Sequence, residues 1–340
     1  HINYTNVCNK LCRFCSFYVK PNHEQGYVLT PEKVADRVRQ YADVPITEIH
    51  MVGGVNPKLP YDYYLDVLKA MKLARPEAHL KAFTMIEIAQ IQRIAKKPLE
   101  DVFADLRAAG LESIPGGGAE VFSDRVREDL FWTKADSEDW LEIAAAAHRS
   151  GLLSNATMLY GHVENTEEKV YHLTRLREVQ DETGGFLTYI PLSFHPERTE
   201  IDHLPGPTGQ LDLREIAIGR LMLDNFPHIK TFWIMNTIEI SQIALWYGAN
   251  DIDGTIHPDA TDLPYDGVDT DCDGWSDSDE MACGTDPNDS AAVPGDIDGD
   301  GFCDQIDDDM DGDGYPNADD AFEDDPNEWN DTDGDEIGDN

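Results

Sequence analysis

The chain has 340 residues, 67 acidic against 26 basic, for a formal net charge of −41. That length accommodates one large α/β domain plus something smaller. No basic patch is present, which argues against a nucleic-acid partner, and no apolar run is long enough to span a membrane. The charge is uneven: residues 257–340 hold 31 Asp or Glu and no Lys or Arg, whereas the rest carries 36 acidic and 26 basic residues. The chain therefore divides into an enzyme-like region, 1–256, and a separate acidic module, 257–340.

In chain order, the first region alternates short apolar runs with amphipathic stretches, the pattern of a parallel α/β barrel. A strand at 2–6 leads into a loop containing Cys8, Cys12 and Cys15. A helix follows at 31–41, with Thr30 as N-cap and Pro31 in its first turn. A strand at 48–52 ends in Gly53 and Gly54. A helix at 61–74 and a strand at 79–83 come next, then helices at 86–95 and 99–108, the second closed by Gly110. The strand at 111–114 ends in Pro115 and three glycines. Strands at 154–159 and 186–192, a strand-like run at 230–235 and a helix at 239–247 complete the region. Six β/α units predict a partial barrel, with chemistry at the C-terminal ends of the strands. Polar or glycine-rich groups follow all six strands: the cysteines; Gly53 and Gly54; Thr84 and Glu87; Gly116, Gly117, Gly118 and Glu120; Tyr160 and His162; His195, Glu197 and Arg198. Six such ends in succession point to one shared pocket.

The cysteines read C-x3-C-x2-C, with Phe14 before the last. Three thiolates on one loop suit a 4Fe–4S cluster with one iron left open, whereas an electron-carrying cluster normally takes four cysteines. A structural zinc site wants four ligands, usually in two pairs. Here the next cysteine is Cys272, and neither His1 nor His23 has a ligand's spacing. Three structural cysteines brought together by chance are the remaining alternative.

The cysteine loop, the partial barrel and the glycine pair after the second strand resemble the radical S-adenosylmethionine enzymes. The segments HINYTNVC, GGVNPKLPYDYY, HLKAFTMIEI, PGGGAEVFSDRVR, SNATMLYGHVE, DETGGFLTYIPLSFHPERTE and LMLDNFPHIK resemble the aminofutalosine synthases of the menaquinone-forming futalosine route over 1–256. Cyclic dehypoxanthine futalosine synthase and the deazaflavin-forming synthases are the neighbouring families. HLKAFT and SFHPERT favour aminofutalosine synthase. The resemblance implies a (β/α)6 TIM-type barrel, a 4Fe–4S cluster, S-adenosylmethionine as cosubstrate, a reducing donor such as flavodoxin or ferredoxin, and a cytoplasmic setting. The implied transferase reaction adds the 5′-deoxyadenosyl radical to 3-[(1-carboxyvinyl)oxy]benzoate, with loss of bicarbonate, to give 6-amino-6-deoxyfutalosine. It also implies that the chain lacks the family's leader and its final segment.

The same resemblance assigns roles. Cys8, Cys12 and Cys15 ligate the cluster. Phe14 packs near cluster or adenine, against the alternative of plain core packing. Gly53 and Gly54 admit backbone close to the methionine amino group, against an ordinary tight turn. Glu120 and Asn155 meet the adenosyl ribose, the alternative for Glu120 being a solvated loop carboxylate. His162, His195 and Arg198 are candidates for the substrate's two carboxylates, Arg198 having the planar fork for bidentate pairing. Either histidine can instead be a satisfied structural residue, and His50 and His79 read as core or barrel-lining.

The acidic module repeats D-x-D-x-D-G. One copy runs Asp269, Asp271, Asp273, Gly274, Asp277, Glu280, and the next Asp296, Asp298, Asp300, Gly301, Asp304, Asp307. A third runs Asp309, Asp311, Asp313, Gly314, Asn317, Asp320; a fourth starts at Asp331 with Glu336 in the glycine position. This is the ligand ladder of a calcium loop without flanking helical periodicity, and it resembles thrombospondin type 3-like repeats. A disordered acidic tail is the plain alternative. Cys272, Cys283 and Cys303 allow one disulfide plus a free thiol, with the pairing open. Such repeats suit calcium-rich exteriors, in conflict with a reducing compartment for the barrel. We read the join near Thr255 as a gene fusion or a fragment joined in assembly. A secreted calcium-binding protein with a non-functional barrel is the alternative of another class.

Overall fold

The computed structural model describes residues 1–42, 44–253, 275, 280, 283–285, 291–298, 303–307 and 309–330. It forms two units, His1–Thr261 and Asp262–Asn340, taken separately below.

In the first unit eight parallel strands pair in chain order: β1 (Ile2–Asn3), β2 (Glu48–Val52), β3 (His79–Ala82), β4 (Ser113–Ile114), β5 (Leu153–Tyr160), β6 (Phe186–Ser193), β7 (His228–Thr231) and β8 (Asp251–Ile252). No pairing joins β8 back to β1 among the described residues, so the sheet is a curled, open part-barrel. Helices α1 (Pro31–Gln40), α2 (Tyr61–Ala74), α3 (Met85–Ala95), α4 (Leu99–Ala109), α5 (Asp124–Leu130), α6 (Ser137–Arg149), α7 (Thr166–Thr183) and α8 (Gly209–Met222) connect the strands; α9 (Trp233–Asn236) and α10 (Ile238–Ala244) follow β7. The partial barrel is as expected; beyond the six units and the strand-like run at 230–235, the structure adds one strand, β8. The run at 230–235 divides: the strand stops at Thr231, whose hydroxyl bonds Ser241 at 2.9 Å, and the aromatic half turns into α9. β8 is two residues long, too short for any periodic signal.

Local chemistry sets the helix boundaries. The Thr30 hydroxyl accepts from the Lys33 amide with Pro31 just inside α1, and α4 ends on Gly110 at φ 116°, both as expected. Thr84 and Glu87 form a reciprocal capping box that starts α3, and Asn165 and Glu168 form another that starts α7. On β5, Ser154 bonds His148 of α6 and Tyr160 bonds Asp212 of α8. That face meets the helix layer, so the two-residue period turns Asn155, Thr157 and Leu159 to the barrel interior. Among the described residues, no helix is long and apolar enough to cross a membrane.

The core between sheet and helices is aromatic on one side. Phe186 stacks on Phe226 at 5.2 Å between ring centroids and on Trp140 at 6.3 Å, and the His148 ring stands edge-on to it at 4.7 Å. Gly185 must lack a side chain here, because a Cβ would lie 2.1 Å from the His148 ring.

In the second unit Cys283 and Cys303 form a disulfide and are both buried, settling the open pairing for that pair; Cys272 lies outside the described residues. The rings of Tyr315 and Trp329 stack at 5.0 Å. The loop ligands expected at Asp269, Asp271, Asp273, Asp277 and Asp300, and the fourth copy, also lie outside the described residues. Carboxylate oxygens of Asp309, Asp311 and Asp313 lie within 4.8 Å of one another.

Truncating Phe186 to Ala should lower the unfolding free energy by about 3–5 kcal/mol. Urea titration of F186A against wild type checks this; a loss under about 1 kcal/mol would show that Phe186 contributes little to the core, by stacking or by filling space.

Candidate functional site

The residues after β1 fold back as a lobe over the strand ends. Thr5 bridges Val28, Val7 bridges Val19, and the Cys8 amide donates to the Val19 carbonyl at 3.0 Å. The end of β2 runs flush beneath this lobe. The Gly54 amide donates to the Thr5 carbonyl at 2.8 Å and the Asn9 amide to the Val55 carbonyl at 3.1 Å. A Cβ on Gly54 would stand 2.5 Å from the Val7 carbonyl oxygen and 3.0 Å from Cys8 Cβ; one on Gly53 would stand 2.7 Å from the Tyr4 ring. Gly54 is thus required by contact with the start of the cysteine loop, and Gly53 by the Tyr4 ring that precedes it.

All three thiols are free. The amides of Val55 and Lys10 donate to Cys8 Sγ at 3.3 and 3.4 Å. Leu11, between Cys8 and Cys12, takes a left-handed φ of 45° that tightens the loop. Burial pushes the Cys12 thiol up to about 12 and also raises Cys15, so thiolates here need a compensating cation. Three soft thiols on one loop, with two amides aimed at the first sulfur, are the donor set an iron–sulfur cluster takes. The residues present fit that group.

Glu120 sits beside this loop. Its backbone is left-handed at φ 50°, and its carbonyl accepts from the Leu159 amide at 2.9 Å. Gly116, at φ 73°, crosses β5 so closely that a Cβ would meet the Asn155 carbonyl oxygen at 1.8 Å. Glu120 is 9 % exposed and ion-pairs with Lys134 Nζ, which replaces the solvated-carboxylate alternative. Lys134 lies 5.2 Å above the Phe14 ring and 5.6 Å above that of Phe131, and those two rings meet edge-to-face at 5.9 Å. Burial disfavours the Lys134 charge, but Cys12 and Glu120 outweigh it and hold the ammonium above its usual range. Phe14 and Cys15 pack on an apolar cluster that includes Cys12, Val121, Phe131, Leu159 and Phe194. The sequence reading missed Lys134, which lies on a short non-periodic segment after α5 and gives no motif signal.

His162 is corrected. Its side chain is fully buried, Nε2 meets the Leu159 carbonyl at 3.1 Å, and Nδ1 accepts from the Val163 amide at 2.7 Å with Glu164 at 3.2 Å. Both ring nitrogens serve the turn, so none is left for a substrate carboxylate. His195 is exposed and bonds the Met235 carbonyl through Nε2 at 3.0 Å, tying the loop after β6 to α9. Arg198 is exposed on the same loop with a left-handed φ of 58°. Asn155 is 4 % exposed on the interior face of β5. His79 bonds Ser113 at 2.7 Å within the barrel, and burial pushes His50 down to about 3. Both fit the core or lining reading.

A family model for the radical SAM superfamily matches residues 2–176, one for the CofH/MqnC C-terminal region matches 183–260, and one for a bacterial TSP3 repeat matches 269–290. The chain belongs to the radical SAM superfamily. It is 43 % identical over 259 residues to the aminodeoxyfutalosine synthase of Thermus thermophilus, covering 75 % of this chain and 70 % of that protein. It is 40 % identical to the aminodeoxyfutalosine synthase of Streptomyces coelicolor over 75 % of this chain and 69 % of that one. With the cyclic dehypoxanthine futalosine synthase of Halalkalibacterium halodurans it shares 38 % identity over the same fractions. Among solved structures, methylornithine synthase superposes with a TM-score of 0.61 at 16 % identity, covering 76 % of this chain and 72 % of that one, and so shares the fold. The family resemblance read from the sequence is borne out.

One buried carboxyl beneath the site gives a pH signature. Glu87, 2 % exposed, is raised to about 7 by burial, which outweighs the donors Thr84, Tyr4 and Gly53. Its folded value exceeds the usual 4.5, so its favourable contribution is complete below pH 4.5 and is lost as pH rises through 7. Relative to E87Q, wild-type stability should fall by about 3 kcal/mol between pH 4.5 and 8. Parallel denaturation curves for the two chains across that range would contradict this.

Proposed function

We propose that the first unit is an aminodeoxyfutalosine synthase acting on S-adenosylmethionine and 3-[(1-carboxyvinyl)oxy]benzoate in the menaquinone route. The observation that carries this is three free thiols on one loop, seated on the Gly53–Gly54 backbone, in a chain 43 % identical to a synthase of that name. Cys8, Cys12 and Cys15 would hold the cluster, whose chemistry is to supply the electron that releases the 5′-deoxyadenosyl radical from S-adenosylmethionine. The backbone at Gly53 and Gly54 keeps the cysteine loop low over the sheet and leaves room for the methionine end. Glu120, paired with Lys134, and Asn155 on the interior of β5 would accept from and donate to ribose hydroxyls. Phe14 and Phe131 wall the same side and keep water out. His195 and Arg198, on one loop at the strand ends, are the remaining candidates for the substrate's carboxylates. A flavodoxin or ferredoxin would deliver the electron.

The 38 % identity to cyclic dehypoxanthine futalosine synthase supports a second reading with the same cluster and a different substrate. Anaerobic reconstitution separates the two. The chain should take up four irons, turn brown, cleave S-adenosylmethionine once reduced, and form aminodeoxyfutalosine only with the enol-ether benzoate. C12S should reduce product to background. Turnover with dehypoxanthine futalosine alone would favour the second reading, and no cluster absorbance with all three cysteines intact would sink both.

For the second unit we propose calcium binding at the third loop. Asp311 is 4 % exposed, and its Oδ2 has no hydrogen-bond partner though it lies among the Asp309 and Asp313 carboxylates. A buried carboxylate oxygen so placed calls for a cation. The Asn317 side chain accepts from the Met310 amide and donates to the Asp307 carbonyl at 2.8 Å, closing the loop around the three aspartates. Glu280, Asp296, Asp298, Asp304, Asp307 and Asp320 are the other described members of the ladders. Calcium should raise the unit's thermal midpoint in the full chain, and D311N should reduce that rise. An identical midpoint with and without calcium would refute the proposal.

A further inference from the structure

The loop that bears the cysteines is stitched to residues 130–134 on both sides. The Arg13 amide donates to the Leu130 carbonyl at 2.9 Å, Lys10 Nζ to the Thr133 carbonyl at 3.1 Å, and the Thr133 hydroxyl to the Lys10 carbonyl. This seam ends in Lys134, whose side chain is only 10 % exposed. Its ammonium is fixed by the Glu120 carboxylate and lies over the Phe14 and Phe131 rings. A rigid cation in a dry, aromatic-walled place keeps much of its field, because little solvent is present to screen it. Cys12 and Cys15 pack in the same apolar cluster as the Phe14 and Phe131 rings over which that cation lies.

We propose that Lys134 is a positioning residue that sets the electron affinity of the cluster held by Cys8, Cys12 and Cys15, with Glu120 fixing the lysine and partly offsetting its charge. The inference rests on the cluster reading above. Reduction adds one electron to a group already carrying thiolate charge, so a nearby fixed cation favours the reduced state more than the oxidised one. Glu120, a buried anion near the same thiols, acts in the opposite sense. The pair therefore tunes how readily the electron donor can load the site.

The test is a dye-mediated redox titration of the full chain, reconstituted anaerobically without S-adenosylmethionine and followed by electron paramagnetic resonance of the reduced cluster. K134M should move the midpoint to a more negative potential, K134R should leave it near wild type, and E120Q should move it to a less negative one. K134M with full iron content and an unchanged midpoint overturns the inference while the cluster reading stands. If K134M fails to take up iron, E120Q decides, and an E120Q midpoint equal to or below wild type overturns it. A wild-type chain that takes up no iron overturns both readings.

Discussion

The contact between the Gly54 position and the Val7 carbonyl is the constraint on which the site depends. At 2.5 Å from a would-be Cβ, no other residue fits without pushing the cysteine loop off the sheet. The loop is therefore registered by the barrel. Ile2 pairs with Met51 and Asn3 with Val52, and that ladder continues through the Tyr4 amide to the Val52 carbonyl and the Gly54 amide to the Thr5 carbonyl. Three thiols separated by flexible backbone would otherwise sample many arrangements; here the sheet fixes the first of them, and Leu11's left-handed turn carries the chain to the second.

Two buried carboxylates around that contact show how the same residue type serves different ends. Glu87 lies under the β2 end and is satisfied by neutral donors alone: the Tyr4 hydroxyl at 2.7 Å and the Thr84 amide and hydroxyl, each at 2.8 Å. Without a cation, burial wins and the carboxyl titrates near neutrality. Its work is to bind Tyr4, Thr84 and the glycine end into one block. Glu120 is less deeply buried and faces Lys134, so its charge is compensated. It stands on a left-handed residue between Gly118 and β5, a conformation that costs energy and that the Leu159 amide and Lys134 hold in place. The first carboxyl supports the floor of the site, and the second is presented within it.

What was legible in the sequence followed from residues whose identity alone dictates chemistry or sterics. Cysteine spacing, glycine pairs at strand ends, Thr30 with Pro31, and Gly110 could be read without a fold. The expected barrel emerged from periodicity that long elements such as β5 and β6 display plainly. What escaped depended on distant neighbours. β8 has two residues and owes its place to pairing with Lys230 and Thr231. His162 stands in a strand-end position that suggests chemistry, yet Glu164 caps the turn, accepting from the Gly161 amide at 2.7 Å and the His162 amide at 2.9 Å, and so draws the ring inward. Lys134 becomes significant only when the segment after α5 folds back onto the cysteine loop.

The two units differ in what can hold them together. The first buries a continuous apolar core with its ion pairs mostly at the edges. The second has 30 Asp or Glu and not one lysine or arginine to set against them in its own sequence. Its Cys283–Cys303 bridge and the Tyr315–Trp329 stack tie particular points, but neither relieves the repulsion among Asp309, Asp311 and Asp313, whose oxygens converge within 4.8 Å. Compensation must come from ions in solution, and a geometry that buries Asp311 among its neighbours favours one multivalent cation over diffuse screening. On the calcium proposal, the stability of this unit follows the cation activity around it, whereas that of the barrel is set by packing.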